Sequence, residues 1–253
     1  MTSQAYDSDP VALIKALLAT IEDKIIPLTS NGVSSGNKLF GAAILSKAGL
    51  VPQTVSTNNE VASPLLHGEI NCIQQFFAQT SFPDPSLGEG EGDGEGESSS
   101  SSRRPDPRDC VFLATHEPCS LCLSGITWSG FDNFFHLFTY EDSRDLFSIP
   151  YDIDILQEVF RVPAVLVGTG GEKEKEGKEE EDLDARPLYN RRNKFFTARS
   201  FADLVREIAE TRGGAEGRKW GDEVDRVKAL YNGLSDTYQN AKAGGLESAS
   251  VWR

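Results

Sequence analysis

Leu66-His67-Gly68-Glu69-Ile70 and, some fifty positions later, Glu117-Pro118-Cys119-Ser120-Leu121-Cys122 are the stretches on which the reading of this chain turns. Leu65, Leu66, Ile70, Ile73, Phe76 and Phe77 recur at helical intervals, which places His67 and Glu69 in the first turn of a helix. Pro118 suits the first position of a second helix, where its missing N–H leaves nothing unpaired. Cys119 and Cys122, three apart, then share one helix face. Two helix starts converge in this scheme, and their partial positive charge favours thiolates. One imidazole and two thiols are ligands of the kind that hold zinc. A structural zinc site closes its shell with four protein ligands, whereas a catalytic one keeps three and leaves a place for water. Glu69 would stand beside such a site as a carboxylate that is not a ligand.

Other readings of the same residues stay open. A lone Cys-x-x-Cys also serves structural zinc and redox pairs. Cys72, Cys110, His116 and His136 are the spare ligand types in the chain. Cys72 falls on a different face of the first helix from His67, and Cys110 opens the apolar run Cys110-Val111-Phe112-Leu113-Ala114, so both read as small core residues. A catalytic zinc site is the expectation, with a structural or metal-free one as alternatives.

The order His-x-Glu followed by Pro-Cys-x-x-Cys is the signature of zinc deaminases. Phe40-Gly41-Ala42-Ala43-Ile44, Leu66 to Ile70 and Thr115 to Ile126 together resemble the cytidine and deoxycytidylate deaminase superfamily. The last of these is similar to the branch that acts on guanine, cytosine or tRNA adenosine. The resemblance runs from about Asn37 to Val167, roughly half the chain. It implies an α/β protein with a three-layer α/β/α fold: a mixed five-stranded sheet with helices on both faces. It also implies Zn2+ held by His67, Cys119 and Cys122, with Glu69 moving protons. The family's substrate-contacting asparagine finds two candidates, Asn58 and Asn59, closer to the histidine than in the family pattern; Asn59 is taken as the contact. Phe40 and Trp128 could flank a planar ring, although either could equally pack in the core.

The chain has 253 residues and a formal charge of −14. Much of that charge is local. Glu89 to Glu97 holds five acids and no base, and Glu172 to Asp184 holds eight acids against three lysines. Gly/Glu alternation followed by Ser98 to Ser102 cannot bury a core, so inserts at 86–104 and 170–184 are expected as solvated loops. They separate loops, not domains, leaving a single domain over 9–242 with its core at 37–168. No run of eighteen apolar residues suggests a membrane span, and the polar, acidic start is unlike a presequence. Four cysteines, two assigned to metal, fit a reducing compartment, and a cytoplasmic location is expected.

The remaining patterns fill in the layers. Asp9 to Pro27 reads as an amphipathic helix, and Leu39 to Leu45 and Val51 to Thr57 as strands around a Lys47-Ala48-Gly49 turn. The first zinc helix runs on to Gln79. Cys110 to Ala114, Phe134 to Phe138 and Val162 to Gly168 read as further strands. C-terminal helices are expected within 200–242, at Ser200 to Thr211 and Asp222 to Lys242. Tyr140-Glu141-Asp142 follows a strand, where an acid could bind an exocyclic amine. Arg191-Arg192-Asn193-Lys194, interleaved with Tyr189, Phe195 and Phe196, is the compact basic cluster and could touch phosphate or RNA.

The expected activity is zinc-dependent hydrolytic deamination of a free nucleobase, nucleoside or related small heterocycle. Small-molecule substrates are expected because no basic groove offsets the acidic surface; a homo-oligomer is expected, nucleic acid is not the favoured partner, and no membrane partner is expected. The alternatives are a tRNA-adenosine deaminase-like RNA-editing subunit and a non-catalytic zinc-binding scaffold.

Overall fold

The computed structural model describes residues 9–78, 105–159 and 188–243. Helix α1 (Pro10–Thr20) starts where Asp9 accepts the Val11 N–H and Pro10 sets the first helical φ. Pro27 has no N–H to offer the preceding turn. The chain passes it through one wide turn, Ile21–Ile25, in which the Ile26 N–H reaches back to the Ile21 carbonyl, and continues as α2 (Ile26–Ser34). The expected first helix is therefore longer than its apolar pattern and carries this adjustment.

Strands β1 (Gly41–Ser46), β2 (Pro52–Thr57), β3 (Cys110–His116), β4 (Asn133–Phe138) and β5 (Thr197–Ser200) form one sheet in the order β2-β1-β3-β4-β5. β1 runs antiparallel to both β2 and β3, whereas β3, β4 and β5 are parallel. The sheet is thus mixed and five-stranded, as expected. The expected strand Val162 to Gly168 lies outside the described residues, and the fifth described strand is Thr197-Ala198-Arg199-Ser200. Four residues are too short to show a pattern, and their pairing comes from tertiary contact with β4. The inserts at 86–104 and 170–184 also lie outside the described residues.

Strand alternation divides the core into two faces. Ala43, Leu45, Val111, Leu113, Phe135 and Leu137 meet α1, α2 and the C-terminal helices. Ala42, Ile44, Phe112 and Phe134 meet α3 (Gly68–Ala78) and α4 (Ser120–Trp128) through Cys72, Ile73, Phe76 and Ile126. β3 is buried along its whole length, as a central strand covered on both sides must be. Two short helices follow β4: α5 (Tyr140–Phe147), opened by a capping box between Thr139 and Asp142, and α6 (Tyr151–Glu158). The C-terminal region forms three helices instead of two: α7 (Phe201–Arg212), α8 (Gly214–Ala229) and α9 (Tyr231–Ala243). Gly213, at φ 96°, makes the break that starts α8 well before Asp222. Phe201, Leu204, Val227 and Tyr231 carry these helices into the core.

Candidate metal centre

The sheet directions bring four loops to one end. Gly41 pairs with Thr57, Ala42 with Ala114 and His116 with Phe138. The start of β1 therefore lies beside the ends of β2, β3 and β4. Lys38, Asn58, Glu60, Glu117, Cys119 and Tyr140 all emerge there, where open α/β sheets present ligand groups.

Helix α3 begins against this edge. A Cβ on Gly68 would stand 3.0 Å from the Gly41 Cα and 3.1 Å from the Phe40 carbonyl, so a side chain between His67 and Glu69 would require the β1 backbone to give way slightly. The Asn58 side chain accepts the Gly68 N–H at 2.6 Å, closing the helix start from a neighbouring loop. Glu69 occupies the first turn and His67 stands just before it. On the other side Cys119 is the N-cap of α4 and Cys122 lies in its first turn. Pro118 is consequently not the first helical residue; it sits in the extended approach.

His67, Cys119 and Cys122 come together with their ligand atoms within 4.8 Å of one another. His67 Nδ1 lies 3.4 Å from Cys119 Sγ and 3.7 Å from Cys122 Sγ. Zinc bonds of about 2.3 Å to sulfur and 2.0–2.1 Å to nitrogen, opened to a tetrahedral angle, separate the two ligands by roughly 3.6 Å. The observed spacings match, and a nitrogen with two sulfurs is a donor set zinc takes. The residues fit Zn2+. Without metal the cluster is a charge network. The Cys122 thiol and His67 hold Cys119 well below the usual thiol range, against its burial. Burial opposes the charge on His67, yet Cys119 raises it to about 9.

Glu69 is 5 % exposed, and its Oε2 accepts from the Cys122 thiol at 3.3 Å. Burial, then the neighbouring Cys119 thiolate, raises its carboxyl to about 7. Behind the site Lys38 Nζ and Glu60 form a buried pair at 2.9 Å. Asp152, on α6, lies near enough to the cluster to feel its charges, which sequence reasoning did not anticipate. Burial raises it to about 7, with Cys119 reinforcing the shift and His67 and Lys38 opposing it. Its run Tyr151-Asp152-Ile153-Asp154 carries no motif; only the fold brings it to Cys119.

The structure redistributes the other candidates. Asn59 is exposed, with its backbone N–H bonded to Leu66 and its carbonyl to Ala62. Asn58 is the buried one, and its Nδ2 has no partner. Phe40 packs in the core, its ring 4.3 Å from His116. Trp128, at 90 % exposure, neither lines the metal site nor packs in the core; it ends α4 beside Tyr189 and Asn193. Asp142 is committed to the α5 cap and to Lys228 at 2.7 Å. Arg191 is bonded to buried Glu117, not simply solvated. Cys72 and Cys110 are buried, as expected.

Residues 22–137 match the family model described as the cytidine and deoxycytidylate deaminase zinc-binding region. Comparison with curated proteins gives no significant match. Among solved structures the chain is similar to a guanine deaminase from Nitrosomonas europaea, at 15 % identity over 87 % of this chain and 97 % of that one, with a TM-score of 0.41. It is similar to a guanine deaminase from Bacillus subtilis, at 21 % identity over 50 % and 67 %, with a TM-score of 0.34. A structure from work on A-to-I editing by tRNA:A34 deaminases is 16 % identical over 51 % and 67 %, with a TM-score of 0.26. The likeness to the cytidine and deoxycytidylate deaminase zinc-binding region thus covers residues 22–137, a little under half of the chain.

Proposed function

We propose that this protein is a zinc-dependent hydrolytic deaminase that replaces an exocyclic amine on a free nucleobase, nucleoside or related small heterocycle with a carbonyl. The observation that carries the reading is Glu69: a buried carboxylate against the His67–Cys119–Cys122 cluster that the ligand count does not need. A scaffold would gain nothing from burying an acid there, since burial of a carboxylate costs stability.

In this reading His67, Cys119 and Cys122 hold the zinc. Bound there, zinc would lower the pKa of a water molecule to about 7 and so supply a nucleophile near neutral pH. Glu69 takes one proton from the attacking water and hands it to the ring nitrogen as the oxygen bonds to the ring carbon; it then takes the second proton from that oxygen and gives it to the amine, whose bond to the carbon breaks and which leaves as ammonia. Asn58 orients the ring, its unpartnered Nδ2 offering a hydrogen bond to a ring acceptor. One domain over 9–242, with its core at 37–168 and low-complexity inserts at 86–104 and 170–184, carries the activity. We place it in the cytoplasm as a homo-oligomer; the four described cysteines are free. No described helix is long and apolar enough to cross a membrane.

Ammonia release should be screened with cytosine, guanine, adenine, their nucleosides and pterins. Turnover of at least one, abolished by chelation and restored by zinc, is the expected result. The second reading, deamination of tRNA adenosine, is favoured by one surface: Lys194 lies over exposed Phe195 at 4.8 Å, a basic–aromatic pairing that single-stranded nucleic acid can stack on. Turnover of tRNA with none of the small heterocycles would select it. Inactivity toward all of them would select the scaffold.

A further inference from the structure

Glu117, two residues before Cys119, carries a carboxylate that the proposed chemistry does not use. Its side chain is wholly buried at the end of β3. Oε1 accepts from the Tyr189 hydroxyl and from Arg191 Nη2, each at 2.7 Å. Oε2 accepts the Tyr140 N–H at 3.2 Å, and His136 Nε2 stands 3.7 Å from Oε1. The Glu117 N–H is bonded to the Phe138 carbonyl at 2.8 Å. Tyr140 also reaches forward, its hydroxyl donating to the Pro118 carbonyl. One tyrosine thus holds the side chain of Glu117 and the peptide of the next residue.

Cys119 needs such support. It is the N-cap of α4 with extended backbone (φ −63°, ψ 172°), and no side-chain cap bond of its own fixes it. The direction in which its sulfur points is inherited from the Glu117-Pro118 segment. Tyr189 and Arg191 hold that segment from across the sheet. The Tyr189 ring lies edge-on to Tyr140 and stacks on Phe134, and the Arg191 carbonyl accepts the Ala198 N–H beside β5. A buried carboxylate is stabilised only when its oxygens are filled, so removing one donor leaves the others in a changed balance.

We propose that Glu117 is a positioning residue of the metal centre. Gripped by Tyr140, Tyr189 and Arg191, its carboxylate sets the Glu117-Pro118 segment and so the place of the Cys119 sulfur relative to His67 and Cys122. The proposal rests on Cys119 being a zinc ligand. Partners that orient a ligand from behind typically change metal affinity by about 10–100-fold when removed.

The test uses the full chain and two readouts: zinc affinity by competition with a chromophoric chelator, and the absorption spectrum of the Co2+-substituted protein, which reports ligand geometry. Tyr189→Phe removes one hydroxyl, Arg191→Ala one cation, and Glu117→Gln the charge. Ile14→Ala, in the core of α1 away from these residues, is the control for general destabilisation. The three variants should weaken zinc binding by about 10-fold or more and shift the cobalt bands; Ile14→Ala should lower Tm and leave both readouts unchanged. Parent-like affinity and spectrum in Tyr189→Phe and Arg191→Ala would overturn the proposal, even if Glu117→Gln failed to fold. So would equal weakening in Ile14→Ala. A parent that binds neither metal overturns the zinc reading as well, a result distinct from parent-like variants.

Discussion

The carboxylate of Glu69 lies 3.3 Å from the sulfur of Cys122, buried inside the cluster of metal-ligand atoms yet separate from the three that match a tetrahedral zinc shell. Binding and proton transfer are thereby assigned to different side chains. Glu69→Gln keeps the size and leaves His67, Cys119 and Cys122 in place, so zinc content and Tm should change little. The amide cannot carry the proton, and general acid–base catalysis typically contributes about 10²–10⁴-fold. A loss of kcat in that range, measured as ammonia release, is expected; parent-like turnover would remove Glu69 from the mechanism.

Removal of the ligands should separate the site's two roles. Cys119→Ala or Cys122→Ala deletes one of three donors, and purified protein should fall from about one zinc per chain to a small fraction. Metal that binds only the folded chain stabilises it by mass action, so chelation of the parent should lower Tm. The chelator should have much less effect on the variants. Full zinc occupancy in the double variant would mean that the ligands lie elsewhere.

The loop before α3 discriminates between two adjacent asparagines. Asn58 accepts the Gly68 N–H and keeps an unpartnered buried Nδ2, whereas Asn59 is exposed. Asn58→Ala should destabilise the helix start by about 1–3 kcal/mol, the cost of a buried N–H left without a partner. It should also raise KM or lower kcat for the heterocycle. Asn59→Ala should do neither. The reverse pattern in thermal unfolding and steady-state kinetics would restore the assignment read from the sequence.

The metal cluster was legible before the fold because ligand chemistry demands particular residue types at particular spacings. His67, Glu69, Cys119 and Cys122 meet that demand in any fold that brings the two segments together. Asn58 and Asn59 show where such reasoning stops. Both residue type and approximate position were readable, but which side chain turns inward depends on the Asn59 N–H pairing with Leu66, a fact of the loop. Asp152 could not be read at all, since nothing local distinguishes it from Asp154. The sheet was legible in its four longer strands. Thr197–Ser200 was hidden by its brevity, and Trp128 by the custom of assigning a large aromatic to a core or a pocket.

Gly68 offers a test of the packing that places His67 and Glu69. A methyl group there meets backbone, the Gly41 Cα at 3.0 Å and the Phe40 carbonyl at 3.1 Å, so no flexible side chain can yield. Overpacking of this kind typically costs about 1–3 kcal/mol. Gly68→Ala should unfold at lower temperature, and its activity should drop further than stability alone accounts for, because α3 must shift with both functional residues. Unchanged Tm and turnover would show that the β1–α3 contact is looser than described.

His136 sets an acid limit on the fold. It is fully buried on β4; burial is the main cause that lowers its pKa to about 4, with Arg191 adding to the effect and Glu117 opposing it. In the unfolded chain a histidine titrates near 6.5. Between those values the unfolded chain binds a proton that the folded chain refuses, so stability rises with pH through this window and is lost as pH falls from about 6.5 to about 4. Each fully displaced proton contributes about 1.4 kcal/mol per pH unit. His136→Leu removes the titration at some cost in packing, which lowers stability at every pH alike. Against that offset, the variant should lose about 1 kcal/mol less than the parent between pH 6 and pH 5. Urea unfolding at the two pH values measures the difference directly. Equal losses in parent and variant would mean that His136 accepts its proton in the folded state, through the carboxylate of Glu117 at 3.7 Å.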